Sequence, residues 1–551
     1  MKRFYLSFLI IIALGFFLRI YQVTAVPPGL TWDEAALGYN AYSLMLTGRD
    51  EYGAILPLNL KSFGDYKPAL YAYTAIPFVA IFGLTELAVR FPSILAGTFF
   101  IVLIFLLLQE LFKNKWLSLS GALFAAISPL SIHFSRGGWE SNMATVLNLA
   151  GVYLFVVALG KKKYWFFLSG LIFGLSLITY QASRLFVPML VLGLIILYRD
   201  QIKILSKSFL AGIGMLGVTG LLVGTLLFSG QGDRLSTTSF FAYTRSTEQI
   251  NLVSAEDNLD QQSAQFQLLH GEWFAYVRGL VERYVIYFSP KMLFVDGDYS
   301  PRHKIPDMGV LPYYSLLLVL LGFYFLVKQK SKSSVVILLY LALAPLPGVL
   351  SRDLINMVRN LNLLIPFTIL EAAGFYFLWK SLSRKKAGII IALGVVGVMI
   401  FNYGMYLDAY FVHQPVTYSQ GYLYGYKQSL ALADISNNAM TANYDKIVMT
   451  DTYGQPYIYY LFYSRYSPAK YQQQAQLVQN SVDVGSVKQI DNIEFRHIYW
   501  PGDRGMKNSL FIGTKEELPD QDVKPFSEFR LIGDVDFKDG LNAFRVVETA
   551  K

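Results

Sequence analysis

Cysteine is absent from the 551-residue chain, which excludes disulfides and thiolate chemistry and suits either side of a membrane. Histidine is scarce: the five present are scattered, no pair has the i, i+4 spacing of a zinc-binding helix, and no zincin pattern occurs. A Walker loop and the nucleophile elbow of Ser-His-Asp hydrolysis are both missing. Charge is thin, at 15% of residues. The net charge of +9 is not gathered into a surface stripe, so nucleic acid is not expected as a partner. No internal repeat is evident, which weighs against the inverted-repeat plan of transporters.

What is present is apolar. Hydrophobic residues make up 54% and aromatics 16%, too much for a soluble protein. Apolar segments of about 20 residues recur over roughly the first three-quarters of the chain, each long enough to span a hydrocarbon core of about 30 Å. Between them lie cationic clusters at Lys113-Asn114-Lys115, Lys161-Lys162-Lys163, 199–203, 328–332 and 380–386, the positive-inside pattern. Met1-Lys2-Arg3 precedes an apolar run with no Ala-x-Ala-like site before Pro27-Pro28, which reads as a retained anchor.

Parity sets the topology. With the N-terminus and all five clusters cytoplasmic, two spans separate each successive pair: 116–132 with 141–160, 164–181 with 184–198, 208–229 with 309–328, and 334–350 with 360–380. Spans at 4–21, 88–112 and 386–407 bring the total to about eleven crossings. The stretch 70–83 would break this parity if it crossed. It is short, contains Pro77 and is bracketed by Lys67-Pro68 and Gly83, so it reads as an interfacial helix on the outer side. The expected fold is a polytopic α-helical membrane protein: residues 1–407 form a transmembrane domain with outer loops 22–87 and 230–307. Residues 408–551 follow as a small extracytoplasmic α/β domain, with strands at 446–450, 493–499, 509–514 and 543–547 and a helix at 457–463. Its Tyr and Gln content suits saccharide or peptide contact, or simply a packed cap.

Chemistry concentrates where the chain leaves its first span. Trp32-Asp33-Glu34 puts two acids at a membrane boundary, where carboxylates are costly to desolvate and are either solvated helix-start residues or reactive groups. Both readings stand. Thr31-x-x-Glu34 fits a capping box, and the helix dipole alone favours Asp33 in a first turn. An amphipathic helix over 35–47 follows, with Leu37, Ala41, Leu44 and Met45 on one face and a stop at Gly48, suited to lying on the membrane surface. Asp65-Tyr66-Lys67-Pro68 adds charge on the same side; a helix start explains Pro68 but hardly Lys67. The turn at 133–142 holds Arg136, Gly137-Gly138, Glu140 and Asn142, and Arg136 either pairs with Glu140 or meets a ligand. Tyr180 and Arg184 flank another outer turn, Asp296-Gly297-Asp298 precedes Arg302-His303, and Arg359 opens a later span from outside. An arginine at a helix end often just snorkels, whereas several in one chamber make a phosphate site. Asp33, Asp65 and Glu140 leave a shared divalent metal open, since carboxylates alone do not establish one.

Trp-Asp-Glu after the first span, a surface helix, Lys-Pro opening an interfacial helix and Arg-x-x-x-Glu at 136–140 together resemble the GT-C membrane glycosyltransferases. The likeness is closest to the family 39 branch, with the protein O-mannosyltransferases and the lipid A aminoarabinose transferase. It covers residues 1–410 in topology and is strongest over 30–142, with Arg302-His303 and 359–366 as later pieces. One departure matters: the aminoarabinose transferase has Glu directly before Lys-Pro, where this chain has Tyr66 with Asp65 one place earlier, which puts an inherited metal ligand in doubt.

The resemblance implies an integral plasma-membrane enzyme that moves a sugar, with inversion, from a polyprenyl-phosphate carrier to an acceptor hydroxyl of a protein, lipid or glycan on the outer face. Asp33 is then expected as the base, with Glu34 orienting the acceptor or holding the helix start. Lys67, Arg302, His303, Arg359 and Arg184 are expected on the donor phosphate, and Asp65, Tyr66, Arg136, Glu140, Asn142 and Tyr180 on the substrates. A membrane polysaccharide ligase or polymerase is the alternative, against which the early acids and Lys-Pro argue. A transporter would need ionisable groups at mid-bilayer, and most charge here sits at span ends.

Overall fold

The computed structural model describes residues 2–160, 163–202, 206–226, 239–242, 245–383, 386–435, 443–481 and 484–550. Lys161, Lys162, Lys203, Arg384 and Lys385 of the cationic clusters, and 230–238 at the start of the second long loop, lie outside the described residues.

The chain opens with α1 (Lys2–Ile20) and α2 (Trp32–Thr47), a hairpin of β1 (Asn59–Ser62) and β2 (Asp65–Pro68), then α3 (Leu70–Phe82) and α4 (Glu86–Phe112). α5 (Lys115–Ile127), α6 (Pro129–Ser135) and α7 (Glu140–Gly160) follow. Apolar runs become helices because a backbone in hydrocarbon must satisfy its own N–H and C=O groups. Among the described residues seven helices are long and apolar enough to cross a membrane: α1, α4, α7, Lys207–Leu226, Lys332–Val349, Leu361–Leu382 and Lys386–Thr417. The bent pair α5–α6 makes an eighth, and shorter apolar helices at Trp165–Leu177, Ser183–Leu197 and Ser315–Gln329 occupy the other expected spans. α3, at 13 residues, reaches only about 20 Å and packs Tyr71, Ala72, Ala75 and Val79 against α2.

The expected span 116–132 is broken, and the sequence says why. α5 and α6 meet at 54° beside Pro129, which has no N–H for the Ala125 carbonyl. Arg19 fills the gap: its guanidinium donates to the carbonyls of Ala125 (3.0 Å) and Ala126 (3.1 Å) and to Ser131 Oγ (2.7 Å). A buried cation is tolerated here because it replaces the backbone bonds that the proline removes.

α2 departs from expectation twice. It begins at Trp32 rather than at 35, and it does not lie with a polar face toward water. Leu37, Ala41 and Leu44 face α3, while Ala35, Ala36 and Tyr39 pack with Tyr457 and Tyr459 of the helix Pro456–Tyr463. Tyr39 donates to the carbonyl of Tyr466 (3.1 Å) and Tyr459 to that of Leu30 (3.0 Å). The tail therefore supplies the second wall. Pro68 also differs: it closes β2, and α3 starts at Leu70.

Near the C-terminus, β3 (Lys446–Met449), β6 (Gln489–Ile490), β7 (Ile493–Phe495), β8 (Ser509–Gly513), β9 (Phe529–Asp536) and β10 (Asn542–Thr549) build one sheet in the order β6-β7-β3-β8-β10-β9. β3 pairs in parallel with β7 and β8, and the other neighbours are antiparallel. β4 (Leu477–Ser481) and β5 (Val484–Val487) form a separate hairpin.

Candidate functional site

The start of α2 is fixed by reciprocal caps. Thr31 Oγ1 accepts from the Glu34 N–H (3.2 Å), and Glu34 Oε2 accepts from the Thr31 N–H (3.0 Å). The other carboxylate oxygen takes the Arg90 Nε–H and the Gly138 N–H, both at 2.9 Å. Gly138 can approach this closely because it lacks a side chain; a Cβ there would lie 3.1 Å from Glu34 Cγ. Arg90 spends its remaining donors on the carbonyls of Val23, Pro27 and Gly29. Glu34 is thus buried with both oxygens committed, which fits the second of its two expected roles, holding the helix start.

Asp33, one residue earlier, is the exposed member of the pair. Its Oδ1 meets the Lys67 ammonium, with side-chain exposures of 38% and 13%. Lys67 is presented by the hairpin, whose turn residues Phe63 and Gly64 both have positive φ (55° and 84°), the two-residue turn that matches strand twist. Lys67 faces Leu60 across the pair, and the Lys67 Nζ also lies 4.8 Å from the Phe63 ring centroid.

The loops after 297 add a third group of side chains. Asp298 is buried and receives the N–H groups of Ser300 (2.9 Å) and Met357 (2.6 Å), with His303 Nδ1 at 3.3 Å. Burial pushes its carboxyl up, but His303 and these N–H groups outweigh burial and hold it below the usual value. Asp298 therefore ties His303 to the segment carrying Asn356 and Arg359. The Tyr287 hydroxyl accepts from the Asn356 N–H (2.9 Å), Asn356 Oδ1 accepts from the Arg359 N–H (3.1 Å), and the Arg359 guanidinium lies 3.2 Å from Asp353.

These pieces surround one cavity of about 190 Å³. Of the expected residues Asp33, Lys67, Glu140, Tyr180, His303 and Arg359 line it, joined by Trp139, Gln181 and Asn356, which sequence reasoning did not single out.

The other expected contacts fall elsewhere. Arg136 caps the end of α1 through the carbonyls of Leu18 (2.8 Å) and Val26 (2.7 Å) and lies against Phe411, outside the cavity lining. Asn142 donates to Ser93 (2.9 Å to Oγ) in the helical core. Arg184 donates to the Leu177 carbonyl (3.2 Å), closing the preceding helix. Arg302 donates to the Gly421 carbonyl (2.7 Å) with its guanidinium 4.2 Å from the Trp32 ring centroid, bracing α2 against the tail. Asp65 and Tyr66 sit on β2 outside the lining; the Tyr66 carbonyl accepts from Gln181 (3.4 Å).

Asp33, Asp65 and Glu140 are the carboxylates that the sequence leaves open for a shared divalent ion. Asp33 is held by an ammonium and Asp65 stays outside the cavity. Among the described residues no three His, Asp or Glu side chains are placed together to hold a metal ion.

Residues 66–227 match the dolichyl-phosphate-mannose-protein mannosyltransferase family. No curated protein matches the sequence. ArnT from Cupriavidus metallidurans in its apo state superposes with a TM-score of 0.53 at 11% identity, over 99% of this chain and 97% of that one. The undecaprenyl-phosphate-bound form gives 0.49 at 10% identity over the same shares. An oligosaccharyltransferase from Archaeoglobus fulgidus, tethered to an acceptor peptide, gives 0.49 at 12% identity over 84% of this chain and 63% of that one. The apo ArnT likeness shows that this chain shares the fold of that enzyme, and within that fold residues 66–227 are similar to the mannosyltransferase family.

Proposed function

We propose that the protein transfers a sugar from a polyprenyl-phosphate carrier to an acceptor hydroxyl, with inversion, at the outer face of the plasma membrane. One observation carries the reading: the part-exposed carboxylate of Asp33 shares a cavity with Lys67, Arg359 and His303. Single displacement needs one base at the acceptor hydroxyl, and base assistance is worth about 10²–10⁴-fold. Asp33 takes that proton. The departing polyprenyl phosphate gains charge as the glycosidic bond breaks, and fixed cations stabilise it without reorganising at the moment of reaction. Lys67 and Arg359 serve there, with His303 as a further donor. Lys67 pairs with Asp33 before the donor arrives; a phosphate drawing that ammonium away leaves the carboxylate to the acceptor. Glu140, Tyr180, Gln181 and Asn356 supply the polar contacts that orient the sugar. The ammonium, guanidinium and acid sit at one end of the helices, where a lipid-borne phosphate can reach them.

The test is purified protein incubated with a panel of labelled polyprenyl-phosphate sugars and a hydroxyl acceptor. One donor should be consumed, with polyprenyl phosphate released and the anomeric configuration inverted. Release from none of them, or retention of configuration, would remove the reading.

A further inference from the structure

At the end of the bundle away from Asp33, α4 turns into α5 and two later helices, Ser315–Gln329 and Leu364–Leu382, stop. Between them is a second and larger cavity, of about 680 Å³. α4 runs 27 residues from Glu86, close to the Arg90–Glu34 pair, to Phe112 in this cavity, about 40 Å of helix. The two sites therefore lie at opposite ends of the membrane-crossing body.

Its lining is divided by chemistry. Phe325 and Phe377 give apolar wall, Lys328 and Lys380 give two ammonium groups, and no carboxylate belongs to the described lining. Lys328 Nζ stands 5.4 Å from the Tyr324 ring centroid and Lys380 Nζ 5.7 Å from that of Tyr376. The floor is prearranged. Asn114 Oδ1 caps α5 through the N–H groups of Trp116 and Leu117 (both 3.1 Å), and its Nδ2 donates to the Tyr376 hydroxyl (2.7 Å). Because that hydroxyl oxygen accepts, its own proton is directed to another acceptor. Helix C-termini favour cations by themselves, which accounts for two lysines but not for a cavity of this volume between them. Exposed Leu320, Phe323 and Val327 continue along Ser315–Gln329, an apolar track leading away from the charged floor.

We propose that this cavity binds the phosphate headgroup of an anionic glycerophospholipid, with Lys328, Lys380 and the Tyr376 hydroxyl on the phosphate and the acyl chains along the apolar track. Charge complementarity and the position at the ends of membrane-crossing helices commit the site to a lipid rather than to a soluble anion.

The experiment is native mass spectrometry of the detergent-purified full chain titrated with phosphatidylglycerol or phosphatidylcholine. Wild type should hold phosphatidylglycerol about thirtyfold more tightly than Lys328→Gln/Lys380→Gln, at about fivefold per charge near a headgroup. Phosphatidylcholine should bind both equally weakly, and Lys328→Arg/Lys380→Arg should behave as wild type. Tyr376→Phe, which keeps both charges, should weaken phosphatidylglycerol severalfold and serves if the double Gln variant melts early. Equal retention of phosphatidylglycerol by wild type and double Gln variant, or of the two lipids by wild type, overturns the proposal. Displacement of the lipid by an equal concentration of inorganic phosphate overturns the lipid assignment in favour of a free anion.

Discussion

Adjacent carboxylates at the start of α2 face different surroundings, and that difference sets what each can do. Glu34 is enclosed by a cap, an arginine and a glycine N–H; Asp33 has 38% of its side chain open and a lysine for company. Glu34→Ala would leave Arg90 buried without its counter-ion, a change that costs about 3–5 kcal/mol and should lower the thermal midpoint sharply; an unchanged midpoint would contradict the pairing. Lys67→Ala should leave folding nearly intact and weaken binding of polyprenyl phosphate roughly 10–100-fold, the usual worth of a charge-assisted bond. Equal affinity in the variant would remove Lys67 from the phosphate. The capping box was legible because Thr31 and Glu34 stand three apart. Arg90 was not, although its signal was there: a cation inside a membrane-length apolar run is expensive unless something pairs with it, and Glu34 is that partner.

Elements bring these residues together, and they were unequally readable. Helices that must satisfy their own backbone announce themselves by length, so the spans could be placed from apolar runs and cationic clusters alone. The hairpin that carries Lys67 could not. Its strands are four residues each, and Pro68 looks like a helix start when only its φ is considered. Asp298 stood out as an acid near Arg302-His303, but one of its partners, the Met357 N–H, arrives from far along the chain. The loop after α2 offers a test of its own. Glu51 is buried, exchanges hydrogen bonds with Asn40 on α2 (3.1 and 3.0 Å), and leaves Oε2 without a hydrogen-bond partner. Burial, against the pull of Asn40, pushes its carboxyl up to about 8 from 4.5. The folded chain then holds a proton that the unfolded chain has lost, so stability should fall as pH rises from 4.5 toward about 8 and level off above. Glu51→Gln should flatten that decline, matching wild type in acid and exceeding it in mild alkali. Parallel midpoint-versus-pH curves for the two proteins would contradict the assignment.

For the whole molecule, the sheet-bearing tail is part of what holds the Asp33 helix. α2 lies between α3 and the helix Pro456–Tyr463, and Arg302 joins Trp32 to Gly421. The tail was readable as a small α/β unit, whereas its grip on α2 was not, because pairings more than four hundred positions apart leave no local pattern. The outcome is a mouth at one end of the helical body, in which the Asp33 carboxylate shares a cavity with Lys67 and Arg359. That division of labour is tested most directly with Asp33→Asn, by measuring polyprenyl-phosphate-sugar binding and sugar transfer on the same preparation. The account predicts donor affinity close to wild type and transfer reduced by about 10²–10⁴-fold; normal turnover in the variant would contradict it.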